Sequence, residues 1–206
     1  MISWLKNVIR RTSVVELRPQ RRIYFHEDDY CQQEILPIEN WSHCAKQINE
    51  IVESSKKSFD GTSWGSMVLR EENPKRLVEL GISLERIGEV LQSRLPKYDL
   101  VQTGYGSYVE NCENTEGYGF DGGFDIFVRH NAAGIVNAIW CNPWGFDRDA
   151  VRESKKSILD VFDALSAEYE LLFVDWAWSR MFKLNDRYAL EQYLDEHIHR
   201  SESTHK

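Results

Sequence analysis

The sequence predicts an α+β protein in which flanking helices cover a central, mainly antiparallel sheet. Runs of β-branched and aromatic residues, separated by turn residues, predict the strands of this sheet in residues 98–143 and 171–184. Apolar residues at three- and four-residue steps predict helices in residues 39–59 and 150–168. Strands that cluster together, with helices before and after them, are typical of the α+β class.

Residues 1–60 have the pattern helix, strand, strand, helix. Apolar residues at helical spacing predict the first helix in residues 3–11, and the runs "SVVEL" and "RRIYF" favour strands. The run "YCQQEIL" continues as a strand after an acidic turn and ends at Pro37. This N-terminal part leads into the helix of residues 39–59.

Residues 61–206 form the main α+β part of a single predicted domain, with a polar tail in residues 201–206. "SWGSMVL" favours a short strand, and two short helices with a break near Gly81 follow it. "HNAAG" fits a hairpin connection, because asparagine and glycine tolerate positive φ. Asn185 or Asp186 caps the last helix, "RYALEQYLDEHIH".

The charge balance bears on the kind of partner. The chain has 206 residues, 33 of them acidic and 25 basic, for a net charge of −8. A negative surface repels phosphate backbones, so no nucleic-acid partner is expected, whereas a basic protein partner is favoured. No apolar run approaches the length of a membrane helix and no signal peptide is evident, so we expect a cytoplasmic protein without a membrane partner.

The four cysteines are expected to be free thiols, because they are widely spaced and no export signal is evident. They are Cys31, Cys44, Cys112 and Cys141. The seven tryptophans are expected mostly in the core, with a few at a recognition surface. Trp176 and Trp178 are predicted on one face of a strand.

The stretch "YFHEDDYCQQEILP" places three consecutive carboxylates, Glu27, Asp28 and Asp29, between two predicted strands. Such a cluster fits a charged turn that contributes to a partner surface. The alternative is a metal-dependent hydrolase that uses the "HEDD" cluster, since hard cations take several carboxylate oxygens. A metal site would need further carboxylates from Asp121 or Asp125.

A second acidic stretch contains four carboxylates and no basic residue. They are Glu110, Glu113, Glu116 and Asp121. Together with the "HEDD" turn they supply seven candidate partner-binding carboxylates. The surrounding glycines lack the lysine of a P-loop and the paired aspartates of a nucleotidyltransferase. No complete catalytic motif is present, so no catalytic residue, bound metal or cofactor is predicted.

The segment "YFHEDDYCQQEILPIENW" resembles the opening strand, turn, strand and helix of some bacterial immunity proteins, including those of contact-dependent growth inhibition and related polymorphic toxin systems. The resemblance covers about 20 residues. It implies a protein that binds a cognate toxin in the cytosol of the producing cell and blocks its active site or substrate surface. Many such toxins are nucleases with basic clefts, which fits the acidic excess of this chain. The resemblance implies nothing about the oligomeric state.

Overall fold

The computed structural model describes residues 19–58, 69–142 and 148–203. The helices and strands in these residues are β1 (Arg22–His26), β2 (Gln33–Pro37), α1 (Trp41–Ser58), α2 (Leu84–Gln92), β3 (Leu100–Tyr105), β4 (Tyr108–Asn111), β5 (Thr115–Tyr118), β6 (Asp125–His130), β7 (Val136–Asn142), α3 (Arg148–Glu168), β8 (Leu171–Asp175), β9 (Arg180–Lys183) and α4 (Arg187–Ser203). Short 3-10 helices span Glu27–Asp29, Ile38–Asn40 and Leu77–Leu80.

The larger of two sheets has six strands in the order β5-β6-β7-β2-β8-β9, and every neighbouring pair is antiparallel. This sheet and its flanking helices confirm the predicted α+β class. The N-terminal strand β2 lies in its centre, between β7 and β8. Ile35 of β2 is fully buried, as expected for a strand with neighbours on both sides.

The smaller sheet has three strands in the order β1-β3-β4. β1 is parallel to β3, and β4 is antiparallel to it. The sequence pattern did not separate this sheet from the rest of residues 98–143. The reason is that all of these strands have similar composition, and the partner of each strand depends on contacts with residues far away in the chain, here β1 and β2.

The described helices and strands pack in three layers. One face of the six-stranded sheet packs against α2, α3 and α4 around a large apolar cluster that includes Ile126, Phe162 and Phe173. The three-stranded sheet covers one half of the opposite face, where Phe25 packs with Phe127 and Trp140 of the larger sheet in a second cluster. α1 covers the other half of that face in a third cluster.

Local signals explain several element boundaries. The N–H of Ala189 donates to Oδ1 of Asp186, which therefore caps α4, one of the two predicted caps. In the hairpin between β6 and β7, Asn131 Oδ1 accepts from two backbone N–H groups and Gly134 has a positive φ of 72°. The two short helices predicted around Gly81 are present as Leu77–Leu80 and α2.

Trp176 and Trp178 lie in the turn between β8 and β9, and the expectation that they share one face of a strand is wrong. Ser179 has a positive φ of 54° in this turn. Trp176 packs in the cluster beneath α1, whereas Trp178 stacks on His197 of α4. The sequence has no glycine or proline at this turn, so the run of apolar and aromatic residues that predicts a strand continues through it.

Several predictions concern residues that the structure does not describe. The helix in residues 3–11, the strand "SVVEL" and residues 63–68 of "SWGSMVL" lie outside the described ranges. α4 continues to Ser203, into the segment predicted as a polar tail. Among the described residues, no helix has the length and apolar character needed to cross a membrane.

Candidate functional site

The acidic turn, Glu27–Asp29, is a single 3-10 turn that connects β1 of the smaller sheet to β2 of the larger one. It therefore crosses between two sheets and does not close a hairpin. The Nδ1 atom of His26 accepts a hydrogen bond from the backbone N–H of Asp28 at 3.2 Å and caps the turn. Glu27 and Asp28 are exposed, and partial burial raises the pKa of the Asp29 carboxyl.

Tyr30, next in the chain, anchors the turn to the larger sheet. Its ring lies 4.9 Å from the Trp140 ring, and the Arg129 guanidinium lies 4.7 Å from the Tyr30 ring and donates to its hydroxyl at 3.0 Å. Burial raises the pKa of Tyr30 to about 12. Arg129 thus contacts the aromatic anchor of the turn, and no arginine among the described residues pairs with Glu27 or Asp28.

The β3–β4 hairpin lies at the same end of the smaller sheet. Tyr105 pairs with Tyr108, so the connection has only two residues, Gly106 and Ser107. Gly106 has a φ of 59°, as the first position of a type II′ turn requires. A Cβ atom at Gly104 would overlap with the carbonyl oxygen of Tyr108, so this glycine allows the close approach of the two strands.

The acidic turn and the hairpin form one surface. The His26 and Tyr105 rings are 5.1 Å apart, and Tyr108 donates to Oε2 of Glu110 at 2.7 Å. The hydrogen bond to Glu110, the charge of Glu110 and the charge of Glu27 together raise the pKa of Tyr108. We call this the tyrosine–carboxylate surface, which consists of Glu27, Asp28, Tyr105, Tyr108 and Glu110.

This surface is exposed, and its carboxylates all carry negative charge. Tyr105 and Tyr108 are 63% and 61% exposed. Among the described residues, no lysine or arginine forms an ion pair with Glu27, Asp28 or Glu110; Asp28 has only the His26 ring, with 3.5 Å between its carboxylate and Nδ1. The side chains can therefore offer carboxylates and large aromatic rings to a partner without first breaking an internal ion pair.

The seven predicted carboxylates do not form a single patch. Glu116 pairs with Lys97 at 2.6 Å, and Asp121 pairs with Arg21 at 2.9 Å. Arg21 precedes β1 and His26 ends it, so these pairs lie about 16 Å from the acidic turn at a rise of ~3.3 Å per residue. Glu113 follows the far end of β4 and is exposed.

The same geometry separates the carboxylates that the hydrolase alternative would require. Asp121 and Asp125 lie at the Arg21 end of the smaller sheet, away from His26 and Asp28. In the residues that the structure describes, no group of three or more histidine, cysteine, aspartate or glutamate side chains is placed to hold a metal ion.

Asp125, the first residue of β6, is a buried titratable group. The residue is 5% exposed, and its carboxylate accepts a hydrogen bond from the Tyr98 hydroxyl at 3.0 Å. Burial raises the pKa of Asp125 to about 7, although the Tyr98 hydrogen bond and the nearby Arg21 oppose this shift. Gly119 is necessary here, since a Cβ atom would overlap with the Asp125 carboxylate.

Sequence reasoning missed the two tyrosines of the site. Tyr105 and Tyr108 flank Gly106-Ser107 in "GYGSY", a two-residue hairpin signal with glycine at its first position. This signal could have placed both rings together at an exposed tip. The tryptophans, which were the expected aromatic anchors, are mostly elsewhere: Trp140 is fully buried and Trp176 is 5% exposed.

Comparison of the chain with known protein families, with curated proteins and with solved structures finds no match.

Proposed function

We propose that this chain is an immunity protein that binds and neutralises a cognate bacterial toxin domain in the cytoplasm, without chemistry of its own. The observation that carries the proposal is the tyrosine–carboxylate surface, which combines exposed aromatic rings with carboxylates that have no lysine or arginine partner among the described residues. A basic toxin domain, such as a nuclease with a positive substrate cleft, is the partner that this chemistry fits.

The carboxylates of this surface supply speed and selectivity of association. Glu110 and Glu27 both raise the pKa of Tyr108 and Asp28 follows Glu27 in the chain, so the three carboxylates act on a partner as one negative field, which the net charge of −8 extends. Complementary fields raise association rates and suppress wrong partners, and this effect decreases with ionic strength. The carboxylates of Glu116 and Asp121 contribute less, because Lys97 and Arg21 already neutralise them.

The tyrosines supply most of the affinity. Nanomolar binding corresponds to about −12 kcal/mol, whereas an exposed ion pair contributes about 0–1 kcal/mol. Charge alone is therefore too weak. Tyrosine is enriched among the residues that dominate interface energies, at about 2 kcal/mol or more each. Tyr105 and Tyr108 stand beside the carboxylates and are exposed, so a partner that docks there buries both rings.

The test uses the full chain and the toxin domain encoded next to it, since an immunity gene normally lies directly downstream of its toxin gene. Reversing Glu27, Asp28 and Glu110 to lysine should slow association most at low salt and reduce protection of cells that express the toxin. A matched control reverses Glu39, Glu71 and Glu72, three exposed carboxylates outside the surface. Both variants have the same net charge, so only position distinguishes them.

The aromatic contribution has its own variant. Replacing Tyr105 and Tyr108 with serine should increase the dissociation rate with little effect on its salt dependence. Equal binding and protection by wild type, the surface variant and the control at all salt concentrations would show that the surface has no role. A metal-dependent turnover of substrate by the purified chain would replace the proposal with the hydrolase alternative.

A further inference from the structure

β4 forms one edge of the three-stranded sheet and is exposed along its whole length. It pairs only with β3 among the described strands. Edge strands usually have lysine, proline, a bulge or a covering element that blocks further pairing. β4 contains neither lysine nor proline. All four of its residues are exposed, and Val109 is 51% exposed. Within the residues that the structure describes, no other strand pairs with the outer side of β4.

The hydrogen-bond alternation identifies which backbone groups face outward. The N–H of Cys112 donates to the carbonyl of Val101 at 2.9 Å, so these two residues form a hydrogen-bonded pair. Bonded and non-bonded pairs alternate along an antiparallel ladder. Glu110 is therefore bonded to β3, whereas the N–H and C=O groups of Val109 and Asn111 point away from it. No hydrogen bond within the described residues engages these four groups.

The surroundings of this edge decide what kind of strand fits it. Glu110 lies within β4, Glu27 approaches Tyr108 at one end, and Glu113 follows the other end. A second copy of the chain would bring the same carboxylates against each other, and like charges placed opposite each other on neighbouring strands are destabilising. A segment with lysine or arginine would instead relieve their mutual repulsion.

We propose that β4 accepts an extended basic segment of the partner as an additional strand, bonded to the backbone of Val109 and Asn111. This inference rests on the proposed function and specifies how the partner is held. Main-chain bonds give such a strand its register, while alternate side chains meet the tyrosines and carboxylates. The partner would thus present a strand with basic side chains at its own edge or in a loop.

The test uses the full chain and three synthetic peptides as probes. The first alternates lysine and valine, the second alternates glutamate and valine, and the third is the first peptide with every peptide nitrogen methylated, so that none of its residues can donate to a ladder. Amide hydrogen exchange read by NMR should show slower exchange at Val109 and Asn111 on addition of the lysine–valine peptide, with little change at Glu110. The other two peptides should give no such protection.

A pair of variants separates backbone pairing from side-chain contact. Val109→Pro removes an outward N–H while it leaves the bonds between β4 and β3, whereas Val109→Thr keeps the N–H and a β-branched side chain. We expect Val109→Pro to weaken binding of the lysine–valine peptide at least about tenfold relative to Val109→Thr, because a strand bond is lost and the ring obstructs the edge.

Three outcomes would overturn the inference. Protection at Val109 and Asn111 before any peptide is added would mean that another segment of the chain occupies the edge. A concentration-dependent dimer that Val109→Pro abolishes would assign the edge to a second copy. Equal binding by the Val109→Pro and Val109→Thr variants would exclude backbone pairing. If charge reversal of Glu27, Asp28 and Glu110 still weakens toxin binding in that last case, the proposed function stands without this mode of docking.

Discussion

Replacing Asp125 with asparagine should stabilise the protein at high pH and have little effect at low pH. Asp125 is 5% exposed, and burial raises the pKa of its carboxyl from 3.8 to about 7. Asparagine has the same shape and keeps an oxygen that can accept the hydrogen bond from Tyr98. The substitution therefore removes the cost of a buried charge with little change in packing.

The sign and size of the effect follow from proton linkage. The folded state holds the Asp125 proton more tightly than the unfolded state, so stability is greatest below pH 3.8 and declines until about pH 7. Each pKa unit corresponds to 1.36 kcal/mol, so a shift of about three units removes on the order of 4 kcal/mol from the free energy of unfolding. The asparagine variant lacks this decline.

The assay is urea unfolding of wild type and Asp125→Asn at several pH values between 4 and 8. The difference in unfolding free energy isolates Asp125, since the other titrating groups are common to both proteins. It should rise with pH in favour of asparagine. Tyr98→Phe provides a second readout: because the Tyr98 hydrogen bond lowers the pKa of Asp125, its loss should extend the decline of stability to higher pH. A difference that stays constant, or that falls with pH, would refute the reasoning.

Three further predictions concern the packing around the two sheets. In the native protein a thiol reagent should modify only the half-exposed Cys112 rapidly, whereas denaturation should expose all four free cysteines to alkylation. Mass spectrometry counts the adducts, and a mass with two disulfides would contradict the prediction. Gly119→Ala should lower the free energy of unfolding by about 1–3 kcal/mol, since the added methyl group overlaps with the Asp125 carboxylate, and thermal denaturation measures the loss. Gly81→Ala provides a comparison of the opposite kind, because its methyl group meets open space and its cost comes from the positive φ of 64° alone. Arg129→Met should lower the free energy of unfolding by about 1–2 kcal/mol, because the guanidinium contacts both Tyr30 and Trp140; unchanged urea unfolding would show that the anchor of the acidic turn does not depend on the charge.

Periodicity was enough to predict the long elements. The helix predicted in residues 39–59 is α1, and that in residues 150–168 is α3, each within two residues at both ends. These segments bury one continuous apolar face, so the local spacing of apolar residues determines where they pack. The strands in residues 171–184 were predicted for a similar reason, since Leu171–Asp175 is buried throughout.

Pairing between distant strands could not be predicted in the same way. "RRIYF" and "YCQQEIL" are adjacent in the sequence, yet β1 pairs with β3 while β2 lies between β7 and β8. The pairing of each strand depends on which apolar faces of the larger sheet remain to be buried. Phe25 of β1 buries such a face by packing against Phe127 and Trp140, which are far away in the sequence. The same long-range step determines which carboxylates meet, so it also limited the prediction of the site.

The two ends of the three-stranded sheet differ in how their carboxylates are neutralised, and this difference indicates where a partner is needed. At one end Asp121 and Glu116 have Arg21 and Lys97, so a docking cation would compete with an internal one. At the other end no lysine or arginine among the described residues pairs with Glu27, Asp28 or Glu110, so these like charges repel each other. Such repulsion destabilises the free protein slightly, and a cationic partner relieves it only on binding. The free-energy gain of a docked lysine or arginine is therefore larger at the end formed by the tyrosine–carboxylate surface than at the end where the charges are already paired.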